Sequence, residues 1–184
     1  GNTFNNTIGG EFYIFATVEN TNYYAIGTGS KLNSTNTTAE ATLYTFEKST
    51  DYGDNEFAIK TGSTYLTYSS NTNLGTSTDP YKWTLSQGTK GTWRIASGTS
   101  GRALVFRAGS TKQFGGYSTS NVTANGIEYF DLEIGGSSST TYNSNPNCIT
   151  YYHVYTSNNT SANGTFTIDP VEATEGTTIT LTPS

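Results

Sequence analysis

One order of aromatic and apolar positions recurs three times along the 184-residue chain. Each copy opens on an aromatic, a spacer and isoleucine: Phe12-Tyr13-Ile14, Phe57-Ala58-Ile59 and Trp93-Arg94-Ile95. Each closes on an aromatic, a spacer and an apolar residue: Tyr44-Thr45-Phe46, then Tyr81-Lys82-Trp83 running on to Leu85, then Phe130-Asp131-Leu132. Openings lie 45 and 36 residues apart, and the closing aromatics Tyr44, Trp83 and Phe130 lie 39 and 47 apart. Periods of this length mark a repeat architecture, in which one unit cannot bury its own apolar face and closes against its copies.

Within each copy the residues alternate as strands do, two faces at a period of two, between turn-forming clusters of Gly, Asn, Ser and Thr. The first runs through Phe12-Tyr13-Ile14-Phe15-Ala16, a break at Glu19-Asn20-Thr21-Asn22, Tyr23-Tyr24-Ala25-Ile26, a short strand at Leu32 and a last strand from Ala41 to Glu47. The second gives strands at Phe57 to Lys60, Tyr65 to Tyr68, Leu74, and Tyr81 to Leu85. The third gives Trp93 to Ala96, Arg102 to Phe106, Gln113 to Gly115, a long loop from Tyr117 to Gly126, and Tyr129 to Ile134. Four strands per unit yield four matched apolar rows: Ile14/Ile59/Ile95, Ala25/Leu66/Leu104, Leu32/Leu74/Phe114 and Phe46/Leu85/Leu132.

Three blades are too few for a propeller, which needs at least four. Three four-stranded units instead predict an all-β chain folded as a β-trefoil, six strands forming a barrel and three hairpins capping it. A two-sheet β-sandwich is the alternative. The expected division is a lead-in at 1–10, the trefoil at 11–134, a Gly/Ser-rich linker at 135–147 and a small or truncated β module at 148–184. In that module Ile149 to Tyr155, Thr165 to Ile168 and Thr177 to Leu181 read as strands.

The threefold order, with an aromatic near each closing strand, resembles the ricin B-type lectin β-trefoils. Trp83 stands where that family's closing Gln-x-Trp motif has its tryptophan, with Tyr81 two positions before it and Thr42 and Glu128 in the matching places of the other units. The family's sugar-orienting aspartate has no counterpart in the stretches 27–30, 68–71 and 107–110. The resemblance therefore implies the fold and a lectin-like role, without the family's pocket residue for residue. The segments 164–170 and 175–181 look like the short β-repeats of large bacterial surface proteins.

The composition narrows the classes of function. Formal net charge is -5, and every Lys and Arg falls between Lys31 and Lys112 without forming a basic cluster, so nucleic acid is not an expected partner. No apolar run is long enough to span a bilayer as a helix. The one cysteine, Cys148, excludes an internal disulfide framework and reads as an inert thiol. Charged residues make up only 12% of a Thr/Asn/Tyr-rich chain, a balance suited to an exported bacterial protein, extracellular or at the cell surface. Gly1 reads as the start of a processed or trimmed piece.

Catalytic chemistry finds little footing. His153, the only histidine, alternates with Tyr151 and Tyr155 on a strand, with no nucleophile or carboxylate beside it in sequence. Asp51/Asp54/Glu56 fall in a turn, and of Glu128/Asp131/Glu133 the last two alternate with Phe130 and Leu132 as a solvent-facing row. Neither cluster has glycosidase or calcium-loop spacing. No cofactor and no metal is expected. Aromatics beside amides in loops remain: Tyr68 with Asn71 and Asn73, Tyr117 with Asn121, and Tyr52 with Asn55. An aromatic face packs on the CH face of a sugar ring, and an amide supplies a donor and an acceptor to its hydroxyls. Tyr68, Asn71, Asn73, Tyr117 and Asn121 are the expected ligand-binding residues of a non-catalytic carbohydrate-binding module from a larger protein. Its partners would be a glycan or polysaccharide and the other domains of the same polypeptide. The alternative role is a structural spacer or protein-docking module.

Overall fold

The structure, a computed structural model, describes residues 4–88, 91–99 and 101–136, together with the backbone of four short strands between 152 and 183. It divides into two units, Gly1–Asn145 and Pro146–Ser184. Every named element is a strand, and all pairings are antiparallel.

The first unit carries β1 (Gly10–Val18), β2 (Thr21–Ile26), β3 (Asn33–Thr35), β4 (Tyr44–Glu47), β5 (Glu56–Thr61), β6 (Thr64–Ser70) and β7 (Asn73–Ser77). It continues with β8 (Lys82–Gln87), β9 (Trp93–Ala96), β10 (Arg102–Ala108), β11 (Lys112–Ser118), β12 (Thr123–Ala124), β13 (Ile127–Phe130) and β14 (Glu133–Gly135). Its strands join in one 14-stranded sheet, where a sandwich would have divided them between two. β1 pairs with β2, β4 and β14; β4 with β5; β5 with β6 and β8; β8 with β9; and β9 with β10. A further bridge ties Trp93 of β9 to Leu132, just before β14. β10 also holds β11 and β13, and β12 pairs with β13.

Alternation fixes which face is inside. On β1, Phe12, Ile14 and Ala16 are buried while Tyr13 and Phe15 are half-buried on the other side. All twelve residues of the four rows read from the sequence lie in one buried cluster, Ile14, Ile59 and Ile95 at 0% exposure. Each of the Ile, Leu and Phe side chains among them contributes on the order of 1.5–3 kcal/mol by leaving water.

Two rows need their third member moved. In the ladders Phe12 faces Tyr44, Phe57 faces Trp83 and Trp93 faces Leu132, while Phe46 faces Ile59, Leu85 faces Ile95 and Ile134 faces Ile14. The partner of Phe46 and Leu85 in the third repeat is thus Ile134, two residues beyond the expected Leu132. The same offset appears at the hairpin end. Leu32 donates its N–H to Phe114 at 2.9 Å, Leu74 to Ser30 at 2.9 Å and Gly116 to Thr72 at 3.0 Å. Each acceptor lies two residues before a donor, so Gly116 is the counterpart of Leu32 and Leu74, and Phe114 is not. A slip of two keeps every side chain on its own face, so the hydrophobic pattern does not discriminate against it.

The third repeat departs from four strands in another way. The expected loop from Tyr117 to Gly126 holds the end of β11 and all of β12, and the single strand expected from Tyr129 to Ile134 is broken at Asp131 into β13 and β14. The lead-in is no idle segment either. Phe4 is 8% exposed, and its ring centroid stands 5.5 Å from Phe12, 5.6 Å from Phe57 and 5.4 Å from Trp93, the three opening aromatics.

In the second unit, β15 (Tyr152–His153) pairs with β17 (Glu172–Ala173), and β16 (Phe166–Asp169) pairs with β18 (Thr180–Pro183). Cys148 and residues 137–147 of the expected linker lie outside the described residues.

Candidate functional site

Tyr68 ends the regular part of β6, where the ladder to β7 shifts register between Tyr68 and Ser70 and Asn71 turns the chain with φ 53°. The Tyr68 hydroxyl donates to the Asn71 carbonyl at 2.9 Å, closing the turn on itself. Its ring lies on the backbone of Gly116: a Cβ placed there would stand 2.7 Å from the ring carbon Cδ2. Asn73 is engaged as well, its Oδ1 accepting from Lys31 Nζ at 2.7 Å, and the same ammonium reaches Thr72 Oγ1 at 3.2 Å. Partial burial pushes the Lys31 pKa down. Tyr68, Asn73, Thr72 and Lys31 therefore form one cluster where the hairpins of the three repeats meet. Asn71 is exposed, and its side-chain amide makes no hydrogen bond to a described residue.

Tyr117 does not join them. It sits within β11 rather than in a loop and is 4% exposed, packed with Ala103 and Val105 and edge-on to Tyr129 at 5.3 Å. Gln113 Nε2 donates to its hydroxyl at 3.2 Å, and burial raises its pKa. A Cβ on Gly115 would meet the Tyr117 ring, whereas one on Gly116 would meet Tyr68. Successive residues of a strand point to opposite faces, so the two tyrosines flank β11 from opposite sides. The burial of Tyr117 leaves its ring no open face for a sugar. Asn121 is half-buried in the turn after β11, its N–H donating to the Ser118 carbonyl at 3.1 Å. Asn55, the amide paired with Tyr52 in the sequence, accepts on Oδ1 from Asn6 Nδ2 at 2.7 Å.

The carboxylates are mostly engaged in ion pairs and turns. Glu56 meets Lys82 at 2.8 Å and accepts from the Gly53 N–H at 2.8 Å, and the Lys82 hydrogen bond, foremost, holds its pKa low. Glu47 meets Lys60 at 2.5 Å and the Tyr65 hydroxyl at 2.8 Å, and Asp131 meets Arg94 at 3.3 Å. Among the described residues, no three of His, Cys, Asp and Glu come together as a metal site would need.

The pairing of aromatics with loop amides overlooked a different surface, the outer face of β1 and β2. Tyr24 stands opposite Phe15 in the ladder, their ring centroids 4.9 Å apart at 36°, and meets Tyr13 edge-on at 5.8 Å. All three rings are half-buried. Polar groups border them: Thr17 Oγ1 stands 2.8 Å from Asn22 Oδ1 and beside the Glu133 carboxylate, its one proton going to one acceptor at a time, and Asn22 Nδ2 donates to the Tyr24 hydroxyl at 3.2 Å. Beside Tyr13 the facing residue is Gly135, and the space its side chain would fill is open. The sequence signal was present in Phe12-Tyr13-Ile14-Phe15. A strand with one wet face ordinarily puts polar residues at alternate positions, and this one puts aromatics there.

Compared with protein-family models, with curated proteins and with solved structures, the chain matches none. No helix among the described residues is long and apolar enough to cross a membrane. What the outer strip offers chemically is ring faces, an amide, a hydroxyl and a carboxylate on a rigid sheet. That is a set for stacking and hydrogen bonding.

Proposed function

We propose that the first unit is a β-trefoil acting as a non-catalytic carbohydrate-binding module of a larger exported or cell-surface bacterial protein. Three observations support the trefoil. The pairings run from β1 through β4, β5, β8 and β9 to Leu132 and β14 and return to β1, the circuit of a six-stranded barrel. Phe4 is nearly equidistant from the three opening aromatics, as a residue on a threefold axis would be. The mutual bonds of Leu32, Leu74 and Gly116 repeat one geometry three times at the hairpin end.

The outer strip of Tyr13, Phe15 and Tyr24, bordered by Thr17, Asn22 and Glu133, carries the carbohydrate assignment. Aromatic faces stack on the CH faces of pyranoses, and the neighbouring groups both donate to and accept from hydroxyls. Its partner is a glycan or polysaccharide, and other domains of the same polypeptide would use the module for attachment. A glycan array probed with the whole chain tests this: specific binding is expected, lost in Tyr24→Ala and Phe15→Ala. An array without specific binding to the folded chain overturns it.

One observation favours a second reading, a structural spacer or protein-docking module. In the cluster expected from the sequence, the Tyr68 hydroxyl and the Asn73 side-chain Oδ1 already bond within the protein. Their role as ligand-binding residues rests on the Tyr68 ring and on Asn71. Array binding sensitive to Tyr68→Ala alone would move the site there. A defined protein partner with no glycan would favour docking.

A further inference from the structure

A cleft of about 270 Å³ opens among three hairpin tips: the turn joining β1 to β2, the connection from β10 to β11, and the turn from β12 to β13. Two of the tips are tight two-residue turns. Glu19 and Asn20 carry φ of 48° and 65°, and Asn125 and Gly126 carry 54° and 74°, the paired left-handed residues of a tight hairpin. The third is tied down by its own lysine, Lys112 Nζ donating to the Gly109 carbonyl at 3.1 Å, and by Ser34 Oγ donating to the Lys112 carbonyl at 2.6 Å. Tyr23 lines the cleft, its ring held in place by stacking on Phe106 with centroids 5.2 Å apart at 27°.

Glu19 and Glu128 line the same cleft, both exposed, and neither carboxylate bonds to a described residue. With Lys112 as the one cation, the walls accept more hydrogen bonds than they donate and carry a net negative charge. Sites for drug-sized ligands run from about 300 to 1,000 Å³, so this volume suits one sugar ring. Donor-rich, uncharged or cationic molecules fit such walls, and anions do not.

We propose that this cleft binds the terminal residue of a glycan, a single pyranose carrying no negative charge. Tyr23 offers it an aromatic side, and the carboxylates of Glu19 and Glu128 accept its hydroxyl protons. This rests on the reading of the chain as a carbohydrate-binding module, but at a place separate from the outer strip. It adds a preference for chain ends to that reading.

Amide-resolved NMR titration of the whole chain tests it, with methyl glucoside, methyl galactoside and methyl N-acetylglucosaminide as probes and glucuronic acid as the anionic control. At least one neutral glycoside is expected to shift the amides of Glu19, Thr21, Lys112 and Gly126, with glucuronic acid weaker. Charge-assisted hydrogen bonds contribute about 1.5–3 kcal/mol, so the double variant Glu19→Gln/Glu128→Gln should weaken binding about ten-fold or more. Both residues are exposed, so the variant's melting temperature should stay put; Tyr24→Ala should leave the cleft shifts unchanged. Shifts that survive the double variant, or glucuronic acid binding as tightly as the glycosides, overturn the assignment. Array binding lost with Tyr24→Ala while the neutral glycosides leave the cleft amides unmoved overturns this inference alone and leaves the module reading standing.

Discussion

At the scale of single residues, the contact between Gly116 and Tyr68 shows how one position answers to another. In the other two repeats the matching residue is leucine, and here the tyrosine from β6 fills that place. Gly116→Ala would set a methyl 2.7 Å from the Tyr68 ring. It is expected to cost about 1–3 kcal/mol in urea unfolding, as overpacked cores do. In the background of Tyr68→Ala the same change should cost much less, and a double-mutant cycle with no coupling would refute the contact. Tyr44 makes a second residue-scale case. It is fully buried, its hydroxyl donating to the Gly27 carbonyl at 2.6 Å, and burial pushes its pKa far above the ordinary 10.0. In the unfolded chain the phenol ionises near 10.0, while in the fold it keeps its proton. Its contribution is thus complete below pH 10.0 and is lost as pH rises from there toward the folded value. Denaturant midpoints measured from pH 8 upward are expected to fall above about pH 10. Tyr44→Phe should flatten that fall while costing about 1 kcal/mol at neutral pH.

At the scale of elements, the hairpin of β1 and β2 was legible from Glu19-Asn20-Thr21-Asn22, because turn formers interrupted an alternating run. The turn itself is tighter than that stretch suggested: Val18 pairs with Thr21, leaving Glu19 and Asn20 alone at the tip. Both adopt the left-handed backbone that favours glycine. Asn20→Gly is expected to be neutral or to stabilise by up to about 1 kcal/mol, whereas Asn20→Val should lose about 1–2 kcal/mol. Equal urea midpoints for the two variants would contradict the assigned turn. Strand ends were harder to read than strand centres. Asp131 breaks the last expected strand because Phe130 pairs with Phe106 of β10 while Ile134 pairs with Ile14 of β1. Two partners in different directions divide a run whose residues alternate without interruption.

At the scale of the whole molecule, the expectation with the largest effect concerns Phe4. It belongs to no strand, yet its ring packs against Phe12, Phe46, Phe57 and Trp93. Phe4→Ala is expected to cost about 3–5 kcal/mol in a thermal or urea melt, and a loss below about 1 kcal/mol would remove Phe4 from the core. By itself the sequence determined that the chain is all-β, that it repeats three times, and that twelve particular apolar residues are internal, because alternation at a period of two reports the face of a strand. Only the tertiary structure decided which residue faces which. A slip of two preserves every face, so Ile134 rather than Leu132, and Gly116 rather than Phe114, could be placed only by their hydrogen bonds. The candidate site divided in the same way. Tyr68, Asn71 and Asn73 are neighbours in sequence and share one hairpin, but Tyr117 lies on the far face of β11, and the outer strip unites Tyr13, Phe15 and Tyr24 with Glu133. Sequence distance carries no record of such neighbours, because the closing of one repeat against the next brings them together.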